Sequence, residues 1–328
     1  MKKGITFIVP VFNTSKTITR CIRSLVRFRD TYVVAVDDGS TDDSRDVLEK
    51  LATKYDNLTV VHSENEGASS ARNIGLQHVE TELVGFCDSD DYYQQFNPLD
   101  FTDGTVELRV FSFEYKGNKK YPDNSLYLED KIMSSRQYLE EMRDHFYTMF
   151  FAAVWNKIYK VEVIRKNNLK FDESIKSGED TIFNAEYIKY IEKVAIHTNK
   201  ICNYFLFERD DNRSVDDVIR YYQDTVKRLK IFREICHEMD IDIDGQFYNR
   251  MSMEMIEPVK YILNNYKKRE AIVQFKKLFD NEVVIESLQH YTDDSRRVRL
   301  LASCVPSGKW NKMYRLAKAI LFIKRDFN

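Results

Sequence analysis

Four short apolar runs mark the N-terminal part of the chain: ITFIVPVF at 5–12, YVVAV at 32–36, LTVVH at 58–62 and LVGFC at 83–87. Each is rich in β-branched or aromatic residues and ends on polar or acidic positions, which predicts strands covered on both faces. Between them apolar residues recur at helical spacing: Ile18, Ile22, Leu25 and Val26, then Val47, Leu48, Leu51 and Tyr55, then Ala71 and Ile74. Strand alternating with helix predicts right-handed βαβ units, hence an α/β fold built on a parallel sheet. Further on, ELRVFSFEY (107–115) predicts a strand and MSSRQYLEEMRDHF (133–146) a helix. Segments 216–238, 245–265, 267–280 and 309–324 carry helical spacing with few β-branched runs. They predict a helical C-terminal region, 216–328, after an α/β domain over 1–215.

Ligands of such sheets bind outside the carboxyl ends of the strands, where loops lead into helices. Four polar loops fall there: Pro10–Asn13, Asp37–Ser40, Ser63–Gly67 and Asp88–Asp91. In VVAVDDGSTDDS (33–44), turn formation and helix capping account for some of the polar residues. They do not account for both Asp37 and Asp38 at one strand end. A ligand rich in N–H or hydroxyl donors, such as a nucleobase or ribose, satisfies the second carboxylate. In CDSDDYY (87–93), a turn that aims Asp88 and Asp90 to one side suits a hard cation such as Mg²⁺ or Mn²⁺ between carboxylates and a diphosphate. An acidic turn without metal has the same spelling. NEGASSARNIG (65–75) reads as a glycine loop opening into a helix, with Arg72 one turn in and able to meet an anion. No GxGxxG follows the first strand, and Gly308-Lys309 lacks a P-loop, so dinucleotide redox chemistry and P-loop phosphoryl transfer lose ground.

Composition narrows the setting. The 328 residues include 43% apolar and 31% charged side chains with net charge −2, an ordinary balance that calls for no nucleic acid. The cysteines, Cys21, Cys87, Cys202, Cys236 and Cys304, have neither CxxC nor zinc spacing, which predicts a reducing, cytoplasmic compartment. The opening MKKGITFIVPVF is interrupted by Thr6 and Pro10, unlike a signal peptide, and no window reaches the roughly 18 apolar residues of a membrane span. Work at a membrane would therefore be peripheral. Residues 295–328 carry nine Lys or Arg against Asp326 alone. There Trp310, Met313, Tyr314, Ala317, Ile320 and Leu321 share one helical face, with Lys312, Arg315 and Lys318 opposite. Such a helix lies on an anionic leaflet, packs on protein, or joins copies in a homo-oligomer.

IVPVFN (8–13), VDDGSTDDS (36–44), NEGASSARNIGL (65–76) and FCDSDD (86–91), in this order, resemble the inverting family 2 glycosyltransferases with the GT-A fold. The resemblance spans about residues 4–215, and WNKIYK (155–160), FDES (171–174) and GEDTIFN (178–184) resemble the family's acceptor-side segment. It implies a Rossmann-like, mainly parallel sheet and transfer of a sugar from a nucleotide diphosphate donor, uridine-linked, with Mn²⁺ or Mg²⁺ as cofactor. By position, Pro10, Phe12 and Asp38 hold the uracil, and Asp37 supports the turn or ribose. Asn65 and Arg72 contact nucleotide and sugar phosphate. In the DxD, Asp88 meets ribose or sugar hydroxyls, Ser89 joins the nucleotide-sugar site, and Asp90 is the principal metal ligand. Asp180 is the implied general base, with Glu179 second; a capping acid at a helix start is the plainer account of the pair. ERDDNRSV (208–215) resembles the segment that closes on the donor, offering Arg209, Arg213 and Ser214 to phosphate, although Asp210-Asp211 blurs that match. Trp155 is a candidate to stack on a sugar, although burial is the commoner fate of a tryptophan, and His197 reads as structural. The implied acceptor is a glycan or lipid-linked molecule of surface polysaccharide synthesis. A nucleotidyltransferase and a non-catalytic glycan-binding or scaffolding module are the competing readings.

Overall fold

The computed structural model describes all residues except 95–103, 118–128, 147, 207–213, 293–294 and 323–328. The chain divides into two compact units, one of Met1–Ser174 with Glu179–Arg209 and one of Ile175–Gly178 with Asp210–Asn328. The first opens β1 (Lys2–Val11), α1 (Ile18–Val26), β2 (Thr31–Asp38), α2 (Ser44–Ala52), β3 (Leu58–Ser63), α3 (Ala68–Gln77), β4 (Thr81–Phe86). It continues with β5 (Tyr92–Tyr93), β6 (Leu108–Gly117), β7 (Lys131–Ser134), α4 (Ser135–Met142), α5 (Met149–Ala152), β8 (Lys157–Lys160), α6 (Val161–Lys166), α7 (Glu179–Ile188) and β9 (Lys193–Leu206).

These strands form a nine-stranded sheet in the order β3-β2-β1-β4-β8-β6-β9-β5, with β7 also paired to β9. The strands β3, β2, β1 and β4 run parallel, as the βαβ pattern predicts. The second half is mixed: β8 is antiparallel to both β4 and β6, whereas β6 and β9 are parallel. Coverage on both faces holds for β1, β2 and β4 but not for β3, where only Leu58 is buried. As the edge strand, β3 has one neighbour, and its outer flank meets solvent. Chain direction along the sheet reverses its progress at β1, whose neighbours β2 and β4 are reached from opposite sides; this is the switch point where α/β sheets open a crevice.

Helix α3 reaches this switch point by close contact. A Cβ on Gly75 would lie 2.4 Å from Cγ2 of the buried Ile8 on β1, so only glycine allows the helix to sit where it does. Helix α4 begins with a capping box, Ser134 accepting from the N–H of Gln137 while Gln137 accepts from that of Ser134.

The second unit comprises α8 (Val215–Glu238), α9 (Asp244–Glu254), α10 (Ile256–Asn265), α11 (Lys268–Leu278), α12 (Glu282–Gln289), α13 (Arg296–Ala302) and α14 (Trp310–Phe322). The pattern over 245–265 predicts one helix, yet the chain forms two, broken at Met255. Pro258 has no N–H for the carbonyl of Glu254 and its ring crowds that carbonyl; the ladder resumes with Val259 donating to Met255 at 3.1 Å. Helices α12 and α13 escaped the periodicity because they are short, though each has a side-chain cap, Asn281 and Ser295. On α14, Met313 and Ala317 are fully buried and the ring of Trp310 stacks on Phe279 at 6.2 Å. Part of its apolar face is therefore covered by its own unit, while Lys312, Arg315 and Lys318 stay exposed. Among the described residues no helix is long and apolar enough to cross a membrane.

The Gly75 contact gives a stability test. Gly75→Ala gains about 1 kcal/mol of helix propensity but forces overpacking worth about 1–3 kcal/mol against Ile8. The expected result is a lower urea midpoint, read by circular dichroism, with an unchanged folded spectrum.

Candidate active site

The carboxyl ends of β1, β2 and β4 and the start of α3 enclose a cleft of about 310 Å³. Its wall brings together Pro10, Phe12, Asp38, Asn65, Asp88, Ser89 and Asp90 from four separate loops. Phe12 is 43% exposed, an aromatic surface at the rim. Thr14 also lines the cleft, and its buried hydroxyl has no hydrogen-bond partner among the described residues. Periodicity could not mark Thr14, since it lies in an irregular turn.

Strand β2 runs through Asp38, so its two final acids alternate to opposite sides of the sheet. Asp37, nearly fully buried, accepts from the N–H of Ser40 at 3.2 Å and lies 3.1 Å from Nδ1 of His62, so it stabilises the turn after the strand. Asp38 faces the cleft. One of its oxygens accepts from the Ser63 hydroxyl and the N–H of Glu66, both at 3.1 Å, and the other from the N–H of Gly67 at 2.8 Å. It thereby holds the 63–67 loop against the site.

The loop after β1 is latched to the loop after β2. The N–H groups of Asn13, Thr14 and Ser15 donate to Ser40 Oγ, Ser44 Oγ and Asp42 Oδ2, and Asn13 Oδ1 accepts from the N–H of Thr41 at 2.8 Å. These backbone donors are occupied by protein, not presented as a phosphate cradle.

At the inner end stands Arg72. Its Nη1 donates to Glu179 Oε1 at 3.1 Å and Asp180 Oδ1 at 3.0 Å, and its Nη2 donates to Asp88 Oδ1 at 3.2 Å. Its guanidinium carbon lies 5.3 Å from the centroid of the Phe171 ring, which stacks on Phe183 of α7 at 4.2 Å. Its neighbour Asn73 donates to the carbonyl of Phe171 and to Glu173, and accepts from the N–H of Phe171. Arg72 thus joins the acid after β4 to the two acids opening α7. Burial opposes its charge, but Asp180, Asp88 and Glu179 outweigh that and hold the guanidinium above its ordinary pKa. Burial pushes the Asp180 carboxyl well above the usual carboxylate range; Arg72 pulls the other way, and the like charges of Glu179 and Asp88 reinforce the rise. One cation shared by three acids leaves Asp180 the basic one.

Helix α7 is oriented from behind. Gly178, with φ at 90°, turns the chain into it, in a conformation that suits glycine. One turn along, the Asn184 amide donates to the carbonyls of Phe151, Ala152 and Ala153 at 2.9, 2.9 and 3.1 Å, while its oxygen accepts the Tyr159 hydroxyl at 2.6 Å. The fully buried Lys157 donates to the carbonyls of Phe150 and Ala153 and to Asn156 Oδ1 at 2.8, 2.6 and 2.9 Å. Burial drives its ammonium well below the ordinary lysine pKa, with the charge of Asp180 opposing. Together these side chains satisfy the carbonyls that the four-residue helix α5 leaves unpaired.

Other candidates fall elsewhere. Trp155 is 2% exposed, its ring edge-on to Phe113 at 4.7 Å, so no face is open for a sugar: burial in the aromatic core overrides the stacking role expected for it. Ser214 caps α8 through Asp217, and Arg209 and Arg213 lie outside the described residues. His197 stacks on Phe111 and borders a different cavity, with Arg109 and Ile132.

This sheet order and switch-point cleft define the GT-A class of α/β nucleotide-binding folds. Residues 6–167, just under half of the chain, match the family model described as glycosyl transferase family 2. It is 29% identical over 197 residues to the uncharacterized glycosyltransferase EpsJ of Bacillus subtilis (strain 168), covering 58% of this chain and 57% of EpsJ. It is 30% identical over 210 residues to the poly(ribitol-phosphate) beta-N-acetylglucosaminyltransferase TarS of Staphylococcus aureus (strain Mu50), covering 60% of this chain and 34% of TarS. The chain thus spans less than two thirds of the length of these relatives. The crystal structure of S. aureus TarS 1–349 with UDP superposes with a TM-score of 0.67 at 18% identity, covering 96% of this chain and 90% of that one, a likeness of fold. The mannosyltransferase PcManGT of Pyrobaculum calidifontis, in complex with GDP-Man and Mn²⁺, matches at a TM-score of 0.51 and 16% identity, covering 99% and 88%.

Removing the shared cation is the direct test of the cluster. Arg72→Met leaves three acids facing one another and is expected to cost about 3–5 kcal/mol, measured by chemical denaturation. The loss should shrink as pH falls and the acids protonate.

Proposed function

We propose that the protein is an inverting glycosyltransferase that moves a sugar from a uridine diphosphate donor to a hydroxyl of a glycan or lipid-linked acceptor in surface polysaccharide synthesis. The observation that carries this reading is Asp180: a carboxylate of raised basicity, tied through Arg72 to Asp88 of a nucleotide-sized cleft. Phe12 and Pro10 offer a flat apolar rim to the base, and Asp38 and Asn65 offer polar groups beside it. The relatives named for poly(ribitol-phosphate) glycosylation and the neighbour solved with UDP support this donor and acceptor class.

In the reaction the acceptor hydroxyl attacks the anomeric carbon from the side opposite the diphosphate. Its O–H bond breaks, the proton passes to Asp180, the new carbon–oxygen bond forms, and the nucleotide diphosphate leaves with the electron pair of the old one. Configuration at that carbon inverts. A base serves best when its pKa lies near the working pH, and burial beside Glu179 and Asp88 moves Asp180 in that direction. Glu179 shares Arg72 and supplies the neighbouring charge that keeps Asp180 basic.

Asp90 and Asp88 both present hard oxygen ligands to the cleft, and they suit a divalent ion. Among the described residues no third acid or histidine joins them within ligating reach, which fits Mg²⁺ or Mn²⁺ held by one or two carboxylates and by donor phosphates. When bound, such an ion supplies charge to offset the departing diphosphate.

Two competing readings fit less well. A nucleotidyltransferase needs backbone N–H groups for phosphate after β1, and those of Asn13, Thr14 and Ser15 are already engaged. A non-catalytic module gains nothing from three acids around one buried cation. The exposed Lys312, Arg315 and Lys318 support work beside an anionic, cytoplasmic membrane face.

Asp180→Asn should keep UDP affinity, read by calorimetry, while UDP release from UDP-sugars with acceptor falls by about 10²–10⁴. Full activity in that variant would move the base elsewhere. Deprotonated Asp180 is the active form, so kcat/KM should rise with pH through a limb above the ordinary carboxylate range. Glu179→Gln removes a charge that raises this pKa and should shift the limb to lower pH. Asp90→Asn should abolish the Mn²⁺-stimulated part of turnover in a metal titration, with the fold intact by circular dichroism.

A further inference from the structure

A second cavity, of about 270 Å³, lies wholly within the helical unit, away from every residue given a role above. Its wall is aromatic and acidic: Tyr221 and Tyr222 of α8, Glu254 at the end of α9, and Glu257, Pro258 and Tyr261 of α10. Pro258, beside the interruption at Met255, forms part of its wall together with Glu254 and Glu257.

Three observations describe what fits. The cavity is a little smaller than the roughly 300–1,000 Å³ of drug-sized sites, so it holds one ring-sized unit. Tyr221, on the wall, leaves 43% of its surface exposed. Tyr222 is 2% exposed, and its hydroxyl is buried with no hydrogen-bond partner among the described residues. A buried hydroxyl left unpaired is costly, and a ligand that supplies a partner removes the cost.

Charge selects the ligand class. Glu254 is paired with Arg250 and Glu257 with Lys260, the latter at 2.5 Å, so the carboxylates are already balanced by cations of their own helices. They keep lone pairs for hydroxyl donors but have no unmet demand for a positive ligand. Tyrosine faces against C–H surfaces, with carboxylate and phenol oxygens for hydroxyls, match a neutral sugar or polyol.

We propose that this pocket binds a single neutral sugar or polyol unit. Its use as a second contact for the acceptor chain rests on the glycosyltransferase reading; the binding itself does not.

The test titrates the full chain with N-acetylglucosamine, glucose and ribitol, with and without UDP, by saturation-transfer NMR. Tyr221→Ala, Tyr222→Phe and Glu257→Gln are compared with the parent protein. At least one of these probes should saturate in the millimolar range with UDP present, and each substitution should weaken it five-fold or more. Tyr222→Phe should leave thermal stability equal or higher, since it deletes an unpaired buried hydroxyl; a merely structural tyrosine would lose stability instead. Failure of all three probes to saturate overturns the proposal, as does unchanged binding in the variants. Saturation by choline while the neutral probes fail overturns it in favour of a cation pocket. UDP binding, read in the same samples, reports on the glycosyltransferase reading separately.

Discussion

The structure turns on one buried guanidinium. Arg72 reaches three carboxylates from two distant parts of the chain, Asp88 after β4 and Glu179 with Asp180 at the start of α7. Without a cation these acids would repel one another and take up protons. With one cation among three, they stay close but are not all neutralised. Burial raises the pKa of Asp180, and one cation shared among three acids does not offset it, which is what separates this cluster from a matched salt bridge. A fully matched ion pair would hold its carboxylate at low pKa and leave nothing able to accept a proton near neutrality.

Holding such a cluster requires rigidity around it. On one side α3 is pressed against β1 at Gly75, and Arg72 packs on Phe171, itself stacked on Phe183. On the other, Asn184 and Lys157 fasten α7 and the end of β8 to the carbonyls of α5. Buried polar networks are costly when half satisfied and confer a unique geometry when complete. Here Lys157 and Asn184 have oxygen partners at every contact described, and Asn184 ties the helix that carries Asp180 to α5.

Much of this was legible in residue order. The runs at 5–12, 32–36, 58–62 and 83–87 are β1 to β4, and their polar ends converge on one cleft because parallel strands deliver all their carboxyl ends to the same edge. Asp37 and Asp38 were legible as a pair with separate roles, Asp37 in the turn and Asp38 toward the cleft, but their protein partners were not. Alternation along β2 sends one to His62 and the other to the 63–67 loop, and only the strand's full length, through Asp38, decides that. In the mixed half of the sheet, β8 has four residues and β5 two, too few for a period to register. Trp155 misled because aromaticity suits a sugar and a core equally, and burial alone separates them. WNKIYK and GEDTIFN read as acceptor-side segments, yet Asn156, Lys157 and Asn184 face inward. Charge on paper carries no direction: a lysine reads as a surface residue until three oxygens are found around it.

The same lesson applies where the pattern promised one long helix over 245–265. Helical spacing reports which face is apolar; it does not report whether each N–H has a carbonyl to meet. Pro258 withholds one donor, the chain turns at Met255, and the apolar stripe is divided between α9 and α10. A continuous helix would have laid Glu254 and Glu257 along one rod. Both still share one face, as residues three apart do, and there they line a cavity with Tyr221 and Tyr222. Arg72 and Pro258 act in opposite ways, one by adding a partner where three groups need it and the other by removing a partner where the helix needs it.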